Sequence, residues 1–277
     1  DNNVAIGQSA LGANTTGTAN VAIGHNALDA NTTASFNFAG GKDALGANTT
    51  GAENVAIGYL ALTNNTTGTH NVAVGSSDGA SGATLGTNST GSQNTALGMQ
   101  SLGSNTTADD NTAVGYQALK ANTTGSLNVA VGKSALTANT TGAKNTVVGV
   151  IAGDALTTGG RNTALGYEAL SSDTKGDVSV AIGNGALKTQ NFTSATDTFN
   201  VAVGHDAGGA VTTGTRNTFI GGLAGDATDD GAENVAVGHA ALSANCGDHN
   251  VAVGQEALTV CTGAGNSAVG RAAGLAL

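Results

Sequence analysis

A short phrase repeats along the whole chain and restricts what the chain can fold into. Its fixed point is a glycine that usually follows an aliphatic residue, with an asparagine four positions before it in most copies. The sixteen glycines are Gly7, Gly24, Gly41, Gly58, Gly75, Gly98, Gly115, Gly132, Gly149, Gly166, Gly183, Gly204, Gly221, Gly238, Gly254 and Gly270. Eleven of the fifteen intervals between them equal the interval from Gly7 to Gly24. A fixed period near 17 predicts a solenoid, in which one repeat forms one coil.

The first half of each repeat is typical of a β-strand. In the step NVAVG, the outer aliphatic residues point to one face and the alanine between them points to the other. After the glycine, an apolar step with Ala third and Leu or Gly fourth predicts a second short strand, so that each coil contains two strands separated by turns. A helical repeat is excluded because two or three glycines in every repeat leave no ten-residue run with a 3.6-residue period.

These patterns predict an all-β protein, a parallel β-solenoid (β-roll) of about sixteen 17-residue coils in a single domain over residues 1–277. At about 4.8 Å per coil, the coils would form a rod about 75 Å tall. One thin coil cannot bury both its alanine row and its aliphatic row. One of the two rows, either the alanine or the aliphatic one, therefore faces outward, and we expect neighbouring copies around a shared axis to cover it.

The asparagine before each strand predicts a ladder of stacked side chains. Stacked amides can bond to each other or to turn backbone that the strands leave unpaired. The predicted ladder comprises Asn3, Asn20, Asn37, Asn54, Asn71, Asn94, Asn111, Asn128, Asn145, Asn162, Asn200, Asn217, Asn234, Asn250 and Asn266, with Ser179 as the one replacement. Its role is structural.

The two cysteines, Cys246 and Cys261, occur in adjacent repeats at nearly the same position. Because neighbouring strands lie about 4.8 Å apart, this spacing predicts a disulfide, with two free thiols as the alternative. A disulfide would indicate an extracellular or surface location.

Two repeats are longer than the others and predict protruding loops near residues 76–92 and 188–198. Asp78, Phe192 and Phe199 are the candidate contact residues of these loops, with Phe192 exposed; for the two phenylalanines, however, we favour local packing.

Composition and motifs argue against several functions. The net charge of −10, with nine Lys and Arg residues, disfavours nucleic acid or an anionic membrane as a partner. No segment is apolar over the length that a membrane-spanning helix needs. The histidines share positions with residues of both charges, and the acidic run 226–233 lacks a calcium-binding motif, so we expect no metal, no cofactor and no catalytic residue. The NTT and NST triplets, which match the glycosylation pattern, are explained by turn chemistry.

The steps NVAIG, NTAVG and ANTTG, from Asn3 to Gly270, resemble the head repeats of trimeric autotransporter adhesins, the YadA-like β-roll. They look equally like the NTAVGYQAL-type repeats of phage tail-fibre proteins. The resemblance implies a trimer, a left-handed coil and a role in surface attachment. Two departures are that the adhesin unit is shorter than the repeat of this chain, and that no segment here resembles the adhesin neck, coiled-coil stalk or membrane anchor.

The leading hypothesis is a non-enzymatic structural and adhesive rod, part of a phage tail fibre or bacterial surface adhesin, located outside the cell, on its surface or on a virion. Its partners would be copies of itself and an unidentified cell-surface or matrix receptor. One alternative is a self-assembling extracellular filament, because the repeats run to both ends without a polar cap. Another is an ice-binding solenoid, because Thr pairs such as Thr15/Thr16 would stack into rows.

Overall fold

Each coil contributes one three-residue strand to a parallel sheet. The computed structural model describes residues 2–79 and 82–275, and the chain divides into two compact units, Asp1–Thr141 and Gly142–Leu277. The strands of the first unit are β1 (Val4–Ile6), β2 (Val21–Ile23), β3 (Phe38–Gly40), β4 (Val55–Ile57), β5 (Val72–Val74), β6 (Thr95–Leu97), β7 (Thr112–Val114) and β8 (Val129–Val131). Each pairs in parallel with the next, residue for equivalent residue, as in Val4 with Val21.

The second unit repeats this arrangement and adds a small two-stranded sheet. Its strands are β9 (Thr146–Val148), β10 (Thr163–Leu165), β11 (Gly176–Asp177), β12 (Val180–Ile182), β13 (Thr196–Asp197), β14 (Val201–Val203), β15 (Thr218–Ile220), β16 (Val235–Val237), β17 (Val251–Val253) and β18 (Ser267–Val269). The short strands β11 and β13 pair with each other in parallel. Residues 2–79 and 82–275 contain no helix, which confirms the predicted all-β parallel β-solenoid.

The longer and shorter repeats do not disturb the strand register. Val72 still pairs with Thr95 across the first expanded repeat, and Val180 pairs with Val201 across the second. The equivalent residues of β16 and β17 also pair, although a shortened repeat joins these two strands. The alternation of each strand therefore stays in phase, and changes in repeat length are absorbed outside the sheet.

The prediction of a second strand in each coil is wrong. After the glycine, the chain turns through left-handed residues, for example Gln117 at φ 61° and Leu119 at φ 50°. Ala118 and Leu119 are adjacent and both are 0% exposed, whereas neighbouring residues of a strand would point to opposite faces. Hydrogen bonds between coils still form here, since Leu119 N donates to Ala135 O at 3.0 Å.

The core is a narrow column that the central strand alanines share with the alanine and leucine of the turn. In the coil of β7, Ala113, Ala118 and Leu119 are fully buried, while Thr112 and Val114 on either side of Ala113 are half-buried at the surface. The alanine side of each strand thus faces the interior, and the flanking residues face outward.

Some coils of the second unit lack the turn leucine, and larger neighbours fill the space. A Cβ at Gly225 would lie 2.6 Å from the ring of Phe219, which replaces the strand alanine in β15. A Cβ at Gly208 would lie 2.9 Å from the same ring and 3.4 Å from Val211. These exchanges keep the core filled where the repeat sequence departs from its usual pattern.

The repeat glycine is required by both conformation and space. Gly115 has φ 130°, and a Cβ there would lie 2.5 Å from the carbonyl oxygen of Gly132 in the next coil. Backbone of one coil thus packs directly on backbone of the next, which no side chain permits.

Replacing Gly115 with Ala should lower the free energy of unfolding by about 2–4 kcal/mol, because the new Cβ meets backbone in a strained conformation. The control is Gly265→Ala, at φ 74° with nothing within 4 Å of the new Cβ. The control should cost only about 1–2 kcal/mol of left-handed strain. Urea unfolding measures both, and equal losses would show that coil-to-coil contact is not the constraint.

Candidate functional site

The asparagines before the strands form a hydrogen-bonded ladder in each unit. The side-chain oxygen of Asn111 accepts from the backbone N–H of Asn128 at 3.0 Å, and Asn94 does the same for Asn111 at 3.1 Å. The side-chain nitrogen of Asn111 donates to Gly125 O at 3.0 Å. The ladder therefore satisfies the turn backbone that the three-residue strands leave unpaired.

A second ladder lies beside the first in the first unit, and sequence analysis missed it. Each asparagine of this ladder after the first donates from its side-chain nitrogen to the side-chain oxygen of the asparagine one coil before it, at 2.8–3.2 Å. The ladder comprises Asn14, Asn31, Asn48, Asn65, Asn88, Asn105, Asn122 and Asn139. The recurring Asn of ANTTG could have indicated this ladder, but the preference of Asn for turns was already a sufficient explanation of that residue. The eight members of this ladder are the asparagines of the NTT and NST triplets, and all except Asn14 are 0% exposed.

In the first unit, the two ladders meet at a shared backbone carbonyl, as at Gly125. Gly125 O accepts from Asn111 of the first ladder at 3.0 Å and from Asn122 of the second at 2.9 Å. A carbonyl oxygen has two lone pairs, so both are used. This shared acceptor fixes the distance between the ladders across the coil.

In the second unit, other residues replace the second ladder and explain the one gap in the first. The position is taken by Leu156, Asp173, Gln190, Val211, Thr228, Cys246 and Cys261, all 2% exposed or less. Gln190 is one methylene longer than Asn, and its side-chain nitrogen donates both to Asp173 at 2.6 Å and to Ser179 at 2.8 Å. Its oxygen accepts from Asn200 at 2.8 Å. Gln190 thus links the two columns where Ser179 is too short to do so.

Both cysteines are free thiols in the structure, so the predicted disulfide is not formed there. Cys246 Sγ lies 3.3 Å from Thr228 Oγ1, and Cys261 Sγ accepts from Asn266 Nδ2 at 3.1 Å. The two sulfurs are therefore engaged with different partners. Burial raises the pKa of the Cys246 thiol above its ordinary value.

The expanded repeats place their candidate contact residues differently from one another. Asp78 is exposed and accepts from Gln100 Nε2 at 3.2 Å, and Phe199 is 50% exposed. The prediction that Phe192 is exposed is wrong, since only 7% of it is accessible. Its backbone N–H donates to the buried carboxylate of Asp173 at 3.1 Å, which holds this part of the loop against the coil.

The outward-facing first and third residues of the strands form a surface that we call the aliphatic stripe. In the first unit it comprises Val4, Ile6, Val21, Ile23, Phe38, Gly40, Val55, Ile57, Val72, Val74, Thr95, Leu97, Thr112, Val114, Val129 and Val131. None of these residues is charged, and several are more than 40% exposed, including Ile6 at 58% and Ile57 at 42%. The corresponding strand positions of the second unit are also uncharged. Its exposed and uncharged side chains make the stripe a candidate interaction surface.

Apart from Asp173 and the two cysteines, the ionisable side chains of the described residues lie at the surface of the coils. His70 lies 3.0 Å from Glu53, and His249 lies 3.2 Å from Glu233, all well exposed. Residues 2–79 and 82–275 contain no cluster of three His, Cys, Asp or Glu that could hold a metal ion. Over the same residues, no helix has the length and apolar character needed to cross a membrane.

One cleft of about 330 Å³ occurs in the second unit. Its lining residues are Lys188, Thr189, Asp206, Gly209, Ala210, Leu223 and Asp226. Lys188 Nζ lies 2.8 Å from Asp206 Oδ1, so the lysine charge is already compensated. The lining contains no nucleophile paired with a base.

No model of a known protein family and no curated protein matches this chain. The resemblance to adhesin head repeats and tail-fibre repeats therefore rests on the repeat sequence alone.

Replacing Asn111 with Ala should lower the free energy of unfolding by about 2–4 kcal/mol, because the buried N–H of Asn128 loses its acceptor and a cavity forms. The matched control is Asn64→Ala, at an exposed position, which should change stability by less than about 0.5 kcal/mol. Urea unfolding followed by circular dichroism makes the comparison. A similar loss in both variants would contradict a structural role of the ladder.

Both thiols should react slowly with an alkylating reagent in the folded protein. Burial covers the sulfurs, and the raised pKa of Cys246 lowers its thiolate fraction, so its reaction should accelerate only as the pH rises toward and above the ordinary thiol value of 9.0. In urea both should react at once. Mass spectrometry of protein never exposed to reductant measures the added mass; the loss of two hydrogens instead would show the disulfide that the spacing suggests.

Proposed function

We propose that this protein is a non-enzymatic structural segment of an extracellular fibre, in which copies of the chain associate lengthwise through the aliphatic stripe. The β-solenoid fold is compatible with a structural rod. The observation that supports self-association is the uncharged stripe in a chain whose other faces carry 28 charged residues.

Charge supports a second copy as the occupant of the stripe. The chain carries a net charge of −10, so two copies repel each other along most of their surfaces. The stripe is a face along which copies approach without bringing like charges together. Burying its half-exposed Val, Ile and Leu side chains then supplies the favourable free energy of association.

The repeat itself also favours a copy of the same chain. A parallel copy presents its own aliphatic residues at the same interval along the coil stack, so every coil finds an equivalent coil beside it. Resemblance to the trimeric adhesins favours three copies around a common axis. We place the function outside the cell, in attachment, on the same resemblance.

Attachment to a receptor would use the irregular coils, because regular coils present the same columns at every height. Of the three residues considered, Asp78 and Phe199 are exposed and therefore suit this role, whereas Phe192 does not.

The threonine pairs give less support to ice binding. The hydroxyl of Thr123 donates to the backbone oxygen of Thr140 in the next coil at 3.0 Å, and Thr15, Thr49 and Thr106 make the same bond to their own neighbours. One threonine of each pair is thus engaged within the protein, which leaves a single exposed row.

A charge placed in the stripe should separate the copies. Val114→Glu puts a carboxylate at a half-buried position of β7, where three copies would bury it without a partner at a cost of several kcal/mol. Thr124→Glu adds the same charge at an exposed position outside the stripe. Light scattering should give about three times 26.4 kDa for the natural chain and the control, and 26.4 kDa for Val114→Glu. A folded natural chain that stays monomeric at micromolar concentration would overturn the proposal.

A further inference from the structure

The aliphatic stripe of the first unit has one irregular position, at β3. Phe38 stands where the other strands of this unit have Val or Thr, and Gly40 stands where they have Ile, Val or Leu. Both replacements fall in one strand and on its outer face. Gly40 pairs with Ile23 on one side and Ile57 on the other, so the row of aliphatic side chains is interrupted between two isoleucines.

The ring of Phe38 covers Gly40. A Cβ built on Gly40 would be 3.2 Å from Cε1 of Phe38, closer than ordinary packing allows. The ring and a side chain at position 40 therefore compete for the same space. Phe38 is still 36% exposed, and Ile23 and Ile57 are 41% and 42% exposed, so the whole feature lies open on the stripe.

We propose that Phe38 and Gly40 set the height at which copies of this chain align when they associate. The inference rests on the self-association proposed above and adds the residues that determine its register. In aligned copies, the ring-and-glycine surface of β3 lies at the same height in every copy, so the rings of neighbouring copies contact each other around the axis.

Any shift by whole coils breaks this match. The strands β1, β2 and β4 all read Val-Ala-Ile, so a shift by one coil leaves most of their contacts unchanged. Phe38, however, would then face an aliphatic strand of the neighbour instead of a second aromatic ring, and the contact between rings would be lost. The repeat alone makes many registers nearly equal, and the irregular strand distinguishes one of them.

The test maps which heights touch in the assembled protein. A photo-crosslinking amino acid at Val114 in β7 is activated in a mixture of normal and heavy-isotope chains, and mass spectrometry identifies links between chains. The variant F38V/G40I restores Val-Ala-Ile, the sequence of its neighbouring strands, and should fold as they do. The control is F36V, which removes a 63% exposed phenylalanine outside the stripe.

For the natural chain and for F36V, links should fall on residues 112–116 of the neighbouring chain. For F38V/G40I, links should spread to 95–99 and 129–133, one coil away in each direction, until these products are comparable with the aligned one. An unchanged map in F38V/G40I, or mixed heights already in the natural chain, would overturn the register role. A monomeric natural chain without links between chains would instead refute the self-association on which it rests.

Discussion

The need to satisfy backbone polar groups in a very thin coil determines most of this structure. Strands of three residues pair only a small part of each coil, and the remaining backbone of the coil consists mainly of turns. Asparagine solves this because one amide both accepts from an N–H and donates to a carbonyl. In the coil of β7, Gly125 O receives one side-chain nitrogen from each ladder, so a single carbonyl holds the two columns together. The core can then consist of little more than Ala and Leu.

The sequence was sufficient to predict the features that depend on period and alternation. The parallel solenoid and the opposite faces of each strand follow from glycine spacing and from the Val-Ala-Val pattern. The turn after the glycine was not predictable in this way. A buried Ala-Leu pair is compatible with both a strand and a turn, and only the left-handed φ of residues such as Leu119 distinguishes the two. The burial of Phe192 depends on the carboxylate of Asp173 in the preceding coil, which no local pattern reveals.

The two ladders also differ in how far the sequence alone predicts them. The first ladder was predictable because its asparagine has a fixed position before a recognisable strand. The second was hidden by its own turn propensity, since ANTTG needs no partner to be explained. In the second unit, Gln190 and Ser179 depart from the repeat together, and each is understandable only through its hydrogen bond to the other. Where a residue departs from the repeat, its role therefore becomes clear only once its contacts in the structure are known.

The strand register also has a consequence for how such a chain reaches its folded state. Within each unit, a strand pairs with the strand of the adjacent coil, one repeat away in sequence, and this separation does not grow with the number of coils. The chain entropy lost in closing each coil is thus nearly constant, and every new coil can dock as soon as it leaves the ribosome. A parallel sheet is ordinarily slow to form because its partners are far apart in sequence. Here the search for a partner remains local however many repeats are added.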